Sequence, residues 1–277
     1  GSAQRYGDDV LVEDFVGGDV SLSWPLDESD APFVEQSFSA SLRYIDVNPL
    51  DLEALDTGEV LPAPTTAQQA DLRLWLTMRK QRPYRDNVIH PLDGLGVRLK
   101  VTASAPVLGT DSRFLRGDVS AFAVLPALGL QRLYLHGRVQ AQTGTTRPQD
   151  LLGLSRYDHV QINLPDLFPF TLSGLERVRG YRRYALGNRV LFGSAEYRVP
   201  LLPDLQTQLL GVVSLGATSL AAFADAGLVW TDADLDDAER LLGLGLELKN
   251  ALHLGGVFQL GHSLGVAQRA SKLGTTE

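Results

Sequence analysis

The stretch LLGLGLELKN, Leu241 to Asn250, repeats with a period of two. Leu242, Leu244, Leu246 and Leu248 fall on one side, and Gly243, Gly245, Glu247 and Lys249 on the other. Side chains of a strand point alternately to opposite faces, so one face here meets an apolar medium and the other a polar one. The pattern recurs. Val97, Leu99, Val101 and Ala103 alternate with Arg98, Lys100, Thr102 and Ser104. Leu72, Leu74, Leu76 and Met78 alternate with Arg73, Trp75, Thr77 and Arg79, and Leu133, Leu135, Gly137 and Val139 with Arg132, Tyr134, His136 and Arg138. About ten segments of roughly ten residues behave this way. Their expected spans are 15–25, 33–45, 71–80, 95–106, 113–125, 131–142, 188–200, 218–230, 241–250 and 256–267, with a further short strand at 9–14. No segment has a capped helical period, and no linker of biased composition divides the chain.

The sequence has 277 residues with 33 acidic and 25 basic ones, a net charge of −8 that disfavours a nucleic-acid partner. With no cysteine there is neither a disulfide framework nor a thiolate site. Gly1-Ser2 reads as a cloning remnant and 3–277 as a single domain. The uncharged run Leu205–Ala224 has the length of a membrane helix, but Gln206, Gln208, Gly211, Gly216, Thr218 and Ser219 interrupt it, and it reads as turn plus strand.

Two environments suit alternating strands. In a soluble sandwich the apolar faces meet in a core. In an outer-membrane barrel they meet lipid, and the polar faces line a lumen. Soluble strands average about 5–6 residues, membrane strands about 9–11. The lengths, and the Arg, Lys, Glu and His placed in mid-strand, favour an all-β antiparallel transmembrane barrel. Trp24 and Trp230, near strand ends on apolar faces, suit an interfacial girdle. Long connections at 46–70 and 143–187 emerge on one side and the short PALGL turn, 126–130, on the other, as such barrels require; 81–94 is long on the short side and departs from the pattern.

The connection 143–187 carries Val178, Arg179, Gly180 and Tyr181. On the next strand Glu196 shares a polar face with Ser194 and Arg198; on the one after, Asp225 shares a face with Phe223. Two carboxylates on adjacent polar faces repel unless a cation lies between them. Arginine, with its planar fork, is suited to the task. The expectation is that the loop folds into the lumen, Arg179 is clamped by Glu196 and Asp225, Gly180 permits the tight turn, and Tyr181 packs on the wall.

Val178-Arg179-Gly180-Tyr181 resembles the V/I-R-G-F/Y loop motif of the BamA/TamA-like outer-membrane insertase and two-partner-secretion superfamily, with Glu196 at its strand glutamate. FADAGLVW, 223–230, including Phe223, Asp225 and Gly227, is similar to the family's F-x-D-x-G-x-V/Y-W strand. GLGLELKNALHLGGVFQLGHSLG resembles its next segment, with His253 and Gly256 where prolines are usual. The resemblance is specific over about 175–265. It implies a nominally sixteen-stranded barrel, of which this chain would hold a part truncated at both ends. It also implies a non-enzymatic role in inserting, assembling or secreting proteins at the bacterial outer membrane. The partners it implies are outer-membrane lipid, unfolded outer-membrane or secreted proteins, and another chain pairing at open edges.

Other readings of the same residues remain. Paired carboxylates can serve acid–base catalysis or a metal, but no third ligand stands beside them. His90, His136, His159, His253 and His262 lack ligand spacing, and GDDVLVED, 7–14, reads as a solvated acidic strand end rather than a calcium site. Gly17-Gly18 and Gly243/Gly245 lack the strand-to-helix setting of a phosphate loop. No cofactor is implied. A passive membrane anchor or pore for an N-terminal soluble domain is one alternative function, and a soluble β-sandwich binding module another. Arg177, Arg182 and Arg183 are expected to be solvated.

Overall fold

The computed structural model describes residues 2–6, 9–26, 34–50, 67–80, 94–110, 112–145, 152–154, 178–181, 185–203, 207–209, 211, 213–231, 235–254 and 258–270. The strands are β1 (Ser2–Tyr6), β2 (Asp9–Pro25), β3 (Val34–Leu50), β4 (Ala67–Lys80), β5 (Gly94–Ser104), β6 (Arg113–Pro126), β7 (Arg132–Thr145), β8 (Leu152–Leu154), β9 (Ala185–Gly187), β10 (Arg189–Leu202), β11 (Thr207–Leu209), β12 (Val213–Trp230), β13 (Glu239–Leu254) and β14 (Phe258–Arg269). One sheet of 12 strands runs β1-β2-β3-β4-β5-β6-β7-β10-β12-β13-β14, with β11 beside β12, and every pairing is antiparallel. Strands β8 and β9 form a separate two-stranded antiparallel sheet within the connection from β7 to β10.

Each expected segment holds a strand, and several are longer than their period suggested; the segment expected at 95–106 is shorter, since β5 stops at Ser104 and Pro106–Leu108 form a 3-10 turn. The stretches 9–14 and 15–25 are continuous as β2, and β3 runs on to Leu50. Leu205–Ala224 divides into β11, a turn through Gly211, and the first part of β12. The PALGL turn is tight: Ala127 N–H donates to the Gln131 carbonyl at 3.1 Å, Gln131 N–H donates to the Leu128 carbonyl at 2.9 Å, and Gly129 takes a left-handed φ of 58°. Most of 46–70 and 81–94, the acidic pair Gly7-Asp8 that opens GDDVLVED, and Arg177, Arg182 and Arg183 lie outside the described residues.

The two faces of the sheet have the reverse of a soluble protein's polarity. Leu264 (77%), Val20 (72%), Leu22, Val101, Leu244 and Leu246 stand on the outer face in the open, whereas Asp71 and Asp225, on the inner face, are each 1% exposed. Water would strip stability from such an arrangement, since large contiguous apolar patches are rare on soluble chains. Against lipid it is favourable, and the ladder satisfies the backbone. No helix among the described residues is long and apolar enough to cross a membrane; the crossing elements are strands. Trp24 lies on the outer face stacked on Phe38, with ring centroids 5.8 Å apart. Among the described residues β1 and β14 do not pair, so the sheet is open at both edges.

Candidate functional site

The inner face of β10 presents Ser194, Glu196 and Arg198, that of β12 Phe223 and Asp225, and that of β13 Gly243, Gly245, Glu247 and Lys249. Register brings them together. Ser194 lies opposite Asp225 and Glu196 opposite Phe223; Asp225 then lies opposite Gly243, Phe223 opposite Gly245, and Ala221 opposite Glu247. Phe223 is the floor of the site, with carboxylates on three sides.

Residues 178–181 cross this floor. Arg179 Nε donates to Asp225 Oδ2 at 2.7 Å and Nη2 to Asp225 Oδ1 at 2.8 Å, a bidentate fork, and the Arg179 backbone N–H reaches Oδ2 at 3.0 Å. Nη1 donates to Glu196 Oε2 at 3.1 Å and to Glu247 Oε2 at 2.9 Å. The Ser194 hydroxyl accepts from Nη2 at 3.3 Å and donates to Asp225 Oδ1 at 2.7 Å. The guanidinium carbon stands 3.4 Å from the Phe223 ring centroid, a cation–π contact that closes the last side. Burial pulls the guanidinium's pKa down, but hydrogen bonding and charge from Asp225, then the charges of Glu247 and Glu196, outweigh it and raise the pKa above its ordinary value.

Two further cations complete the cluster. Arg198 Nε pairs with Glu196 Oε1, and Lys249 Nζ lies 3.1 Å from Glu196 Oε1 and 3.2 Å from Glu247 Oε2. Arg179, Arg198 and Lys249 therefore balance Glu196, Asp225 and Glu247 charge for charge. Buried ions need such pairing, because an uncompensated one costs several kcal/mol. These carboxylate oxygens are engaged by protein cations, and among the described residues no group of His, Asp and Glu is arranged to hold a metal ion.

Small residues make room for the loop. A Cβ on Gly243 would overlap the Arg179 carbonyl oxygen, and one on Gly227 would overlap Leu154 and press on Val178 at 2.9 Å. Gly180 has a φ of 94°, which a side chain would strain. Tyr181 is buried. Its hydroxyl donates to the Leu242 carbonyl at 3.2 Å and accepts from the Leu242 N–H at 3.1 Å. Arg269, at the end of β14, donates from Nε to the Gly180 carbonyl at 3.0 Å and stands over the Tyr181 ring. The β8–β9 pair adds an apolar anchor: Leu152, Leu154 and Ala185 join Val178 and Tyr181 over Val190, Phe192, Val229 and Leu241.

The structure thus brings together Val178, Arg179, Gly180, Tyr181, Glu196, Phe223, Asp225 and Gly227. Sequence reasoning missed Glu247, Lys249 and Arg269. The signal for Glu247 and Lys249 stood in the opening stretch, as the charged end of an otherwise glycine-lined polar face; only the β12–β13 register aims them at Arg179.

A profile of the Omp85 superfamily domain matches residues 14–255. A search of curated proteins found no match. Among solved structures, CdiB from Escherichia coli superposes with a TM-score of 0.61 at 14% identity, over 95% of this chain and 42% of that one. CdiB from Acinetobacter baumannii gives 0.55 at 14%, over 93% and 43%. BamA from Haemophilus ducreyi, in a structure lacking POTRA domains 1–3, gives 0.52 at 13%, over 95% and 56%. At these identities the likeness is one of fold, and the chain spans about half the length of those proteins.

Proposed function

Because the chain belongs to the Omp85 superfamily of bacterial outer-membrane β-barrel proteins, we propose that it assists insertion, assembly or secretion of other proteins at that membrane, and does so without covalent chemistry. The observation that carries this reading is the seating of Arg179 on Asp225, Glu196 and Glu247. A charge-balanced clamp of this size, built from a loop and three strands, is a fixed point that keeps β10, β12 and β13 in one arrangement. Beside it, β14 leaves its outer edge unpaired among the described residues. An edge strand offers a row of free N–H and C=O groups, and an extended client segment can add to it by main-chain hydrogen bonding. The clamp acts as a latch: it holds the wall rigid while the edge exchanges partners.

The test is reconstitution. The folded chain in lipid vesicles is mixed with a small urea-unfolded outer-membrane barrel protein, and the client's folding is followed by its shift on unboiled gels. The proposal expects faster client insertion than in empty vesicles, with the gain lost in Arg179→Ala. A chain that enters the vesicles yet leaves the client's rate unchanged is a passive anchor or pore, and the proposal fails.

A further inference from the structure

The end of the sheet that carries the PALGL turn has an apolar surface of its own. Pro126-Ala127-Leu128-Gly129-Leu130 holds no charged, amide or hydroxyl side chain, although turns ordinarily draw on Asp, Asn and Ser. Leu128 is 76% exposed and Leu130 54%. Strand β10 runs on beside this turn: Arg198 lies opposite Arg132, the first residue of β7, and β10 continues to Leu202. Its register against β12 shifts between Pro200 and Leu202, so Leu202 falls opposite Thr218 on the outer face, where strict alternation would have turned it inward. Leu125, Leu128, Leu130, Leu201 and Leu202 thus give β6, β7 and β10 one exposed apolar end.

This end continues the lipid-facing surface. Leu125 follows Val119 on the outer face of β6, and Leu135 stands on the outer face of β7, all of them exposed. The turn's backbone is bonded within the protein, as a medium poorer in hydrogen bonds than water requires. Besides the Ala127–Gln131 and Gln131–Leu128 bonds, Arg132 Nη1 donates to the Gly129 carbonyl at 2.8 Å and to the Gln131 carbonyl at 2.7 Å, and Pro126 has no N–H. The Tyr197 hydroxyl on β10 donates to the side-chain oxygen of Gln131, which pins the turn against β10. A tyrosine near a strand end is a residue of the membrane–water interface. The depth agrees. The turn reaches about two residues past its last strand pair, Pro126 with Arg132, or ~7 Å along the strand and less along the normal of a tilted barrel. The interfacial layer on each side of the hydrocarbon is about 5–7 Å deep.

From these observations we propose that the β6–β7 turn and the end of β10 form a lipid anchor, seated in the headgroup–acyl boundary of the bilayer with Leu128 and Leu130 against the first acyl carbons. That layer offers polar groups to Gln131 and Tyr197 and hydrocarbon to the leucines. The anchor sets the depth of β10, and with it the level at which Ser194 and Glu196 meet Arg179. It holds whether or not the chain assists a client.

The chain has no cysteine, so single cysteines can carry an environment-sensitive dye in the full chain folded into phosphatidylcholine vesicles. Leu128→Cys and Leu130→Cys probe the turn, Val119→Cys marks the hydrocarbon, and the same dye on free glutathione marks water. Lipids spin-labelled near the headgroup should quench the turn dyes more strongly than lipids labelled deep in the acyl chain, and the Val119→Cys dye should show the reverse order. Iodide in the buffer should quench the turn dyes far less than the glutathione dye. Turn dyes quenched by iodide as glutathione's is, and untouched by labelled lipid, would overturn the proposal and leave the apolar end to a protein partner. A second measurement needs no dye. Leu128→Asp with Leu130→Asp should lower the folding equilibrium into the vesicles about tenfold, or ~1.4 kcal/mol. A turn in water would bear the change without loss, since Asp is a favoured turn residue. If the double variant fails to insert, Leu128→Gln alone decides, with about a threefold loss expected. An unchanged equilibrium in the variant that decides would overturn the proposal.

Discussion

Removing Arg179 is the sharpest perturbation of the inner wall. Arg179→Ala takes away every guanidinium donor, leaving Asp225, 1% exposed, with the Ser194 hydroxyl and one backbone N–H. The cluster goes from balanced to one excess negative charge. Breaking a buried ion pair by deleting one partner costs about 3–5 kcal/mol. Arg198 and Lys249 remain to screen Glu196 and Glu247, so the low end, about 3 kcal/mol, is the expectation. At about 1.4 kcal/mol per decade, the loop's seating equilibrium should fall by about a hundredfold. The chain has no cysteine, so Val178→Cys, placed where the residue is 2% exposed, gives a single clean probe. Maleimide should label it slowly with Arg179 in place and about a hundred times faster in Arg179→Ala. Arg179→Lys keeps the charge but loses the fork, and should fall between, near tenfold. Combining Arg179→Ala with Asp225→Ala should be less damaging than the sum of the single changes, because the stranded carboxylate goes too. A labelling gain below about threefold, or strict additivity, would refute the clamp as the loop's main restraint.

Other consequences can be checked independently. Gly243→Ala should unseat the loop, since its Cβ meets the Arg179 carbonyl, and raise labelling of the same probe, whereas Gly193→Ala, with nothing within 4 Å, should leave it unchanged. Tyr181→Phe removes the hydroxyl that serves both Leu242 backbone groups; a cost of about 1–3 kcal/mol is expected, read as faster amide exchange at the β13–β14 ladder. Leu246→Arg places a charge on the outer face and should cost about 2–4 kcal/mol of folding stability in lipid vesicles, while Ser263→Lys, on the inner face of β14, should fold to nearly the original yield.

Much of this molecule is local and therefore readable in one dimension. Alternation is a property of consecutive residues, so Leu242 to Lys249 by themselves specify a strand with one lipid face and one polar face. Ten repetitions with short turns such as PALGL specify a meander. The motif residues were readable too, since Arg179, Glu196 and Asp225 each occupy a distinctive local pattern. Strand ends were less accessible: β3 continues through Val47 and Asn48 because β2 pairs with both and β4 with Val47, not because those residues announce a strand.

Register and depth belong to the tertiary structure. Alternation forbids a one-residue slip between β12 and β13, but a two-residue slip would keep Glu247 and Lys249 on the polar face and carry them about 6.6 Å along it, and no residue within either strand states which of these alignments holds. The ladder decides it, and with it whether Arg179 meets two carboxylates or three. The same is true of the β8–β9 pair, whose few apolar residues become a core only once Val178, Phe192 and Val229 surround them. Periodicity follows from the geometry of a single strand. Charge balance follows from which strands lie side by side.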